Sequence, residues 1–165
     1  MPLATVAAPQ DEVVEMDEIC LRQSPPLWLW IGVSRRVGQV LGFALGDRTD
    51  EMLALVWSDV PADYRDKPVR TDHWGAYTRF FASFPAGQHR GCDKGSGETS
   101  RAEAWNTKWR QRQSALVRRS CGVSERIADD IFERYLILAG QHNQECAKRW
   151  NSQDSHQQQP TLTTR

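Results

Sequence analysis

The chain has 165 residues, 21 basic and 21 acidic, and therefore no formal net charge. Its length points to one domain able to bury about 70% of its unfolded surface, and 39% hydrophobic content with seven Trp excludes a disordered chain. No stretch approaches the ~18 apolar residues of a membrane span, and the start lacks a secretory signal pattern. Cys20, Cys92, Cys121 and Cys146 form no C-x-x-C pair and have no His at ligand spacing, which excludes a zinc site and suits a reduced, cytosolic protein.

Residues 1–12 are small, polar and proline-containing and read as a flexible lead-in. Three apolar runs follow, at 13–19, 27–33 and 40–45, the last two separated by Arg35-Arg36-Val37-Gly38-Gln39. This pattern predicts three antiparallel strands with a hairpin turn between the second and third. Thr49 with Asp50 and Glu51 opens a helix by side-chain capping. Val69 to Asp72 reads as a strand ending at an aspartate, and Trp74 to Phe81 as a helix stopped by Pro85-Ala86-Gly87. The glycine-rich residues 91–99 read as loop. Long helices are predicted from Ser100 to about Arg119 and from Ser124 to about Ala139, before a polar, disordered tail over 143–165. Three antiparallel strands extended by parallel ones, flanked by helices, is an α/β ribonuclease-H-like arrangement, expected here over residues 13–142.

Three acids are the chemical candidates. Asp17 interrupts an apolar strand and Asp72 ends another; each also has an ordinary reading, as a solvent-facing acid or a helix cap. Glu103 shares a helix face with Asn106 and Arg110, opposite the apolar stripe of Ala102, Trp105, Trp109 and Leu116. Three such carboxylates suit divalent metal, since Mg²⁺ takes hard oxygen ligands and can clamp both oxygens of a phosphodiester displacement. Mean neutrality argues against a nucleic-acid partner, but it hides an uneven spread. Residues 1–18 hold five acids and no base, whereas residues 101–126 hold seven Lys/Arg against two Glu, a net of +5 that could track phosphate. Lys94 with Gly95-Ser96-Gly97 lacks the spacing of a nucleotide-binding P-loop.

An ordered set of motifs goes further. Val14-Glu15-Met16-Asp17-Glu18, Trp28-Leu29-Trp30-Ile31, Gly46-Asp47-Arg48 and Thr71-Asp72-His73-Trp74-Gly75-Ala76-Tyr77 are followed by Lys94-Gly95-Ser96-Gly97-Glu98-Thr99. Glu103 with Asn106, Arg110-Gln111-Arg112 and Leu116-Val117-Arg118-Arg119-Ser120 complete the series. Over about residues 13–140 the chain resembles the insertion-sequence-one family of transposases.

That resemblance implies a ribonuclease-H-like domain of the Asp–Asp–Glu type, using Mg²⁺ (or Mn²⁺) to cleave DNA and transfer strands. Asp17, Asp72 and Glu103 would be both catalytic residues and metal ligands. Lys94, Asn106, Arg110, Arg112, Arg118 and Arg119 would lie near DNA phosphates. The implied setting is the cytoplasm, on the nucleoid, with element ends and target DNA as partners and a multimer on DNA. The chain resembles a second reading frame, which implies an upstream-frame zinc-finger and helix-turn-helix partner or fusion. It departs from the family at Ala104, where an Arg is usual, and at Asp129-Asp130, where an Asn-His pair is expected. The 30 residues from 73 to 102 also exceed the usual interval, with the extra ones placed near Phe80 to Phe84. These departures keep a catalytically degenerate DNA-binding remnant or regulator as the alternative.

Overall fold

A computed structural model describes residues 3–23, 26–93, 95–117 and 125–157. The first three apolar runs form β1 (Val14–Gln23), β2 (Pro26–Ser34) and β3 (Val40–Gly46). β2 pairs antiparallel with both neighbours, Asp17 lying opposite Ile31 and Ile31 opposite Phe43. Gly38 turns the chain between β2 and β3 at φ 81°, a left-handed conformation that side chains with a Cβ resist. Helix α1 (Asp50–Asp59) starts where Thr49 accepts the Met52 N–H, as the capping pattern predicts.

The chain then returns to the sheet. β4 (Val69–Thr71) lies parallel to β1, helix α2 (Gly75–Phe81) crosses over, and β5 (His89–Gly91) lies parallel to β4. Helices α3 (Ser100–Val117) and α4 (Glu125–Gln157) complete the described chain. The strand order is β3-β2-β1-β4-β5. Three antiparallel strands extended by two parallel ones and flanked by helices make this a ribonuclease-H-like α/β fold, the class expected from the sequence.

Alternation along the strands loads both faces of the sheet. Val14, Met16 and Trp30 bury against Leu53, Val56, Trp57, Tyr77 and Phe81 beneath α1 and α2. Ile19, Leu29, Ile31 and Phe43 bury against Ala102, Trp105, Trp109, Ile131 and Tyr135 beneath α3 and α4. Each large side chain so buried contributes roughly 1.5–3 kcal/mol, which explains how a polar chain sustains two cores. Phe80, Phe81 and Phe84, where the extra residues were placed, pack together, and Phe81 and Phe84 also meet Trp57 edge-on at 5.1 and 5.7 Å.

Three expectations need correction. Residues 3–12 are tied down rather than flexible: the Val6 N–H donates to the Gln39 side chain, Tyr64 donates to the Val6 carbonyl, and Glu12 is 1% exposed. Glu12 accepts hydrogen bonds from Ser34 Oγ and the Arg36 N–H, which fastens the lead-in to the β2–β3 turn. β5 is a strand the sequence does not announce. Helix α4 continues past Ala139 through most of the residues read as a tail, because Asn143 and Cys146 are buried and the Asn143 side chain holds the Val40 N–H and C=O.

Candidate functional site

The site is built outward from one strand face. Glu15, Asp17 and Ile19 alternate onto the α3 side of β1, and the two acids do different jobs. Glu15 Oε2 accepts the backbone N–H groups of Arg101 and Ala102 at 2.8 and 3.1 Å. A strand carboxylate thus caps a helix whose Arg101 lies 86 residues later in the chain, satisfying two amides that α3 itself leaves unpaired and complementing its positive end. One turn beyond Ala102, Asn106 Nδ2 donates to Asp17 Oδ2 at 2.7 Å. The cap sets where α3 lies, and α3 brings Asn106 to Asp17.

Asp72 arrives from the neighbouring strand. β1 and β4 pair as Glu15 with Arg70, so two residues further along the same register Asp17, within β1, comes beside Asp72, just past the end of β4. Asp72 Oδ1 accepts the Trp74 N–H at 2.9 Å, an Asx turn that leads into α2. Glu103 stands exposed on α3 and accepts from Thr99 Oγ1 at 2.8 Å. Asp17, Asp72 and Glu103 line one cleft of about 500 Å³, together with Glu18, Arg48 and Arg110.

Burial dominates the electrostatics. Desolvation raises Asp17 to about 7, the Asn106 hydrogen bond opposes the rise, and the neighbouring Glu18 and Asp72 add to it. Glu18, on the opposite face of β1, is also raised by burial and is steadied by Tyr77, whose hydroxyl donates at 2.6 Å, and by Arg48. Arg48 Nη2 lies 2.5 Å from Glu18 Oε1, and its guanidinium sits between the rings of Trp28 and Trp74, at 4.5 and 4.3 Å. Three sequence motifs, one from β2, one after β3 and one after β4, therefore meet at one ion pair beside the acids.

A divalent cation suits the donor chemistry of this cleft. Carboxylate oxygens are the hard ligands such ions take, and Asp17 takes its side-chain hydrogen bond from the neutral Asn106 amide rather than from a cation. The set is not assembled, however: among the described residues no three Asp, Glu, His or Cys converge as a metal-binding group. Asp72 and Glu103 are each engaged in a local hydrogen bond instead.

The expected phosphate contacts divide. Arg110 lines the acid cleft, and Arg112 is exposed on α3. Asn106 is 4% exposed, so its amide is committed to Asp17 rather than displayed to solvent. Lys94, Arg118 and Arg119 lie outside the described residues. Sequence reasoning missed Glu15, Glu18 and Arg48 as parts of the site. The spacing Glu15–Asp17 carried a signal, since two acids two apart share one strand face.

The sheet order and the flanking helices, with an acid-lined cleft beside β1 and the end of β4, define a ribonuclease-H-like protein. No family model matches the chain. It is similar to the insertion element iso-IS1n protein InsB of Shigella dysenteriae, 29% identical over 120 residues that cover 67% of this chain and 83% of that protein. The chain is a distant homologue of that insertion-element protein, as its ordered motifs suggest. Among the described residues no helix is long and apolar enough to cross a membrane.

Proposed function

We propose that this chain is the catalytic part of an insertion-sequence transposase, cleaving DNA strands and transferring them to a target. The observation that carries the reading is the Glu15 cap, which orients α3 so that Asn106 meets Asp17 and Glu103 joins Asp72 on one cleft. Asp17, Asp72 and Glu103 would hold Mg²⁺ or Mn²⁺, with Glu103 released from Thr99. When bound, the metal supplies Lewis-acid stabilisation of the phosphodiester oxygens and activation of water. Asn106 orients the Asp17 carboxylate. Arg110 at the cleft mouth attracts the DNA backbone, and the Arg48–Glu18 pair keeps a buried charge neutralised beside the reacting strand. The protein would act in the cytoplasm on the nucleoid, as a multimer on DNA, with an upstream-frame zinc-finger and helix-turn-helix protein or fusion supplying end recognition.

Transposition by the frame-fused protein tests this. Asp17→Asn and Glu103→Gln should each lower the frequency at least about a hundredfold, as loss of a group acting on the reacting phosphate does. Wild-type frequency in either variant overturns the assignment of that residue.

A second reading, a non-catalytic DNA-binding regulator, draws on Ala104 and on the local hydrogen bonds that engage Asp72 and Glu103. DNA binding with no Mg²⁺-dependent cleavage, even with the upstream frame supplied, would favour it.

A further inference from the structure

On the other side of α3 from Asn106 lies a groove of about 370 Å³, between α3, α4 and the β2–β3 turn. Among the described residues its lining includes Arg36, Arg101, Lys108 and Arg149, with Trp105 and Trp150, and contains no Asp or Glu. In a chain with zero net charge, four cations around one hollow with no carboxylate in its wall is a strong local excess. We propose that this groove binds a single strand of DNA, gripping its phosphates with these four side chains and seating a base against Trp150.

The side chains are positioned without neutralising them. Lys108 Nζ stands 5.2 Å from the centre of the Trp105 ring, and the Arg36 guanidinium stands 6.0 Å from that of Trp150. Arg149 Nη2 donates to Cys146 Sγ at 3.2 Å. Aromatic faces and a sulfur hold these groups in place while leaving their charge for a ligand. Arg36 pairs with Asp11 at 3.3 Å, with both side chains more than half exposed and so well screened, and Arg101 also feels the charge of the buried Glu15. His142 registers the same field: burial lowers its pKa most, the hydrogen bond to the Gly38 carbonyl opposes it, and the charges of Lys108 and Arg149 lower it further against that of Glu145, so at neutral pH it adds no charge of its own.

Shape favours a strand over a lone anion. Arg36, Arg101 and Ala104 also line an adjoining hollow of about 840 Å³ that adds Arg35 and Arg70, so the cationic track continues past the start of α3. Asp11 and Glu98 border that second hollow and pair with Arg36 and Arg70, and the buried Glu15 lies 3.6 Å from Arg35, which leaves the stronger excess in the first. A track longer than one phosphate, with an aromatic face beside it, is the combination that single-strand binders use: charge follows the backbone, and a ring takes a base of any identity. The half-buried Trp150 offers that ring.

The groove shares no residue with the acid cleft, so the proposal stands whether or not that cleft is catalytic. Its test is fluorescence anisotropy with a labelled 20-nucleotide single-stranded DNA, without divalent metal, across 50–200 mM salt. The double variant Arg101→Gln/Arg149→Gln should weaken binding at least about tenfold and flatten the salt slope by roughly 1.4, the loss of two phosphate contacts on a single strand. Trp150→Ala should weaken binding at least about fivefold with the slope unchanged, since stacking releases no counterions. Arg79→Gln removes one charge from α2, where Arg79 pairs with Asp50, and should leave binding within about twofold. Circular dichroism and thermal melting of each variant confirm that it is folded. Wild-type affinity and slope in the folded double variant overturn the proposal. So does an equal loss in Arg79→Gln, or a mononucleotide that binds as tightly as the strand.

Discussion

At the scale of single residues, Asp17 links stability to the proposed chemistry. Its folded pKa, about 7, lies above its ordinary value of 3.8 because burial penalises the charged form. The sign follows: below about pH 4 the carboxyl is protonated whether the chain is folded or not, and no penalty arises. Between pH 4 and 7 the unfolded chain ionises first, so stability falls as pH rises, and above 7 the loss is constant. Asp17→Asn keeps an acceptor for Asn106 and removes the charge. In metal-free buffer it should stabilise the protein at pH 8 by up to about 4 kcal/mol, roughly 1.4 per pKa unit, with the gain shrinking toward pH 4. Thermal melts across that range check this, and a variant less stable than wild type at pH 8 contradicts it. Such an acid favours a site over simple folding, because the charge that destabilises the free protein is the one a cation would compensate.

At the scale of elements, helix α4 shows where sequence patterning stops being readable. Its buried residues run Ile131, Tyr135, Ala139, Asn143 and Cys146, a regular stripe at helical spacing. Asn143 interrupts the apolar run and most residues after it are polar, so the 143–157 segment reads as a tail. Asn143 belongs to the core because its amide replaces missing strand partners: it accepts from the Val40 N–H and donates to the carbonyls of Val40 and Ala4. Asn143→Ala strands these groups in a dry interior. It should cost about 3 kcal/mol, read as a lower urea midpoint with an unchanged slope. β5 was invisible for a different reason. His89-Arg90-Gly91 has no apolar content, and it is a strand because β4 offers it a free edge, which is a property of the partner and not of the segment. By contrast β1 to β3 and the start of α1 were legible, since alternation, a turn glycine and a capping Thr are local causes.

At the scale of the whole molecule, zero net charge results from separation. Asp17, Glu18, Asp72 and Glu103 share one hollow, and Arg36, Arg101, Lys108 and Arg149 share another, with α3 between them. The three candidate acids could be named from sequence, and the structure puts them on one cleft. What the sequence did not reveal is how they are held, because Glu15, Asn106 and Arg48 act through contacts between distant parts of the chain. The acid cleft gives a prediction for the intact protein. Millimolar Mn²⁺ should raise the melting temperature of the wild type by a few degrees, as a ligand that binds only the folded state does. It should leave an Asp17→Asn/Glu103→Gln double variant unmoved, and an equal rise in both would place the metal elsewhere.

The Glu15 cap also governs how the cleft can open. Amides in the first turn of a helix ordinarily exchange with solvent quickly, because fraying exposes them at little cost. Those of Arg101 and Ala102 are held by a fully buried carboxylate on the strand that pairs with both β2 and β4. Releasing them means parting α3 from the middle of the sheet, so their hydrogen exchange should be as slow as that of the β1 amides. Exchange of the two at rates typical of a frayed helix end would show the cap to be loose. With the cap intact, the helix carrying Glu103 does not swing as a lid, and if Glu103 holds a metal as proposed, the change that frees it is confined to a side-chain rotation away from Thr99.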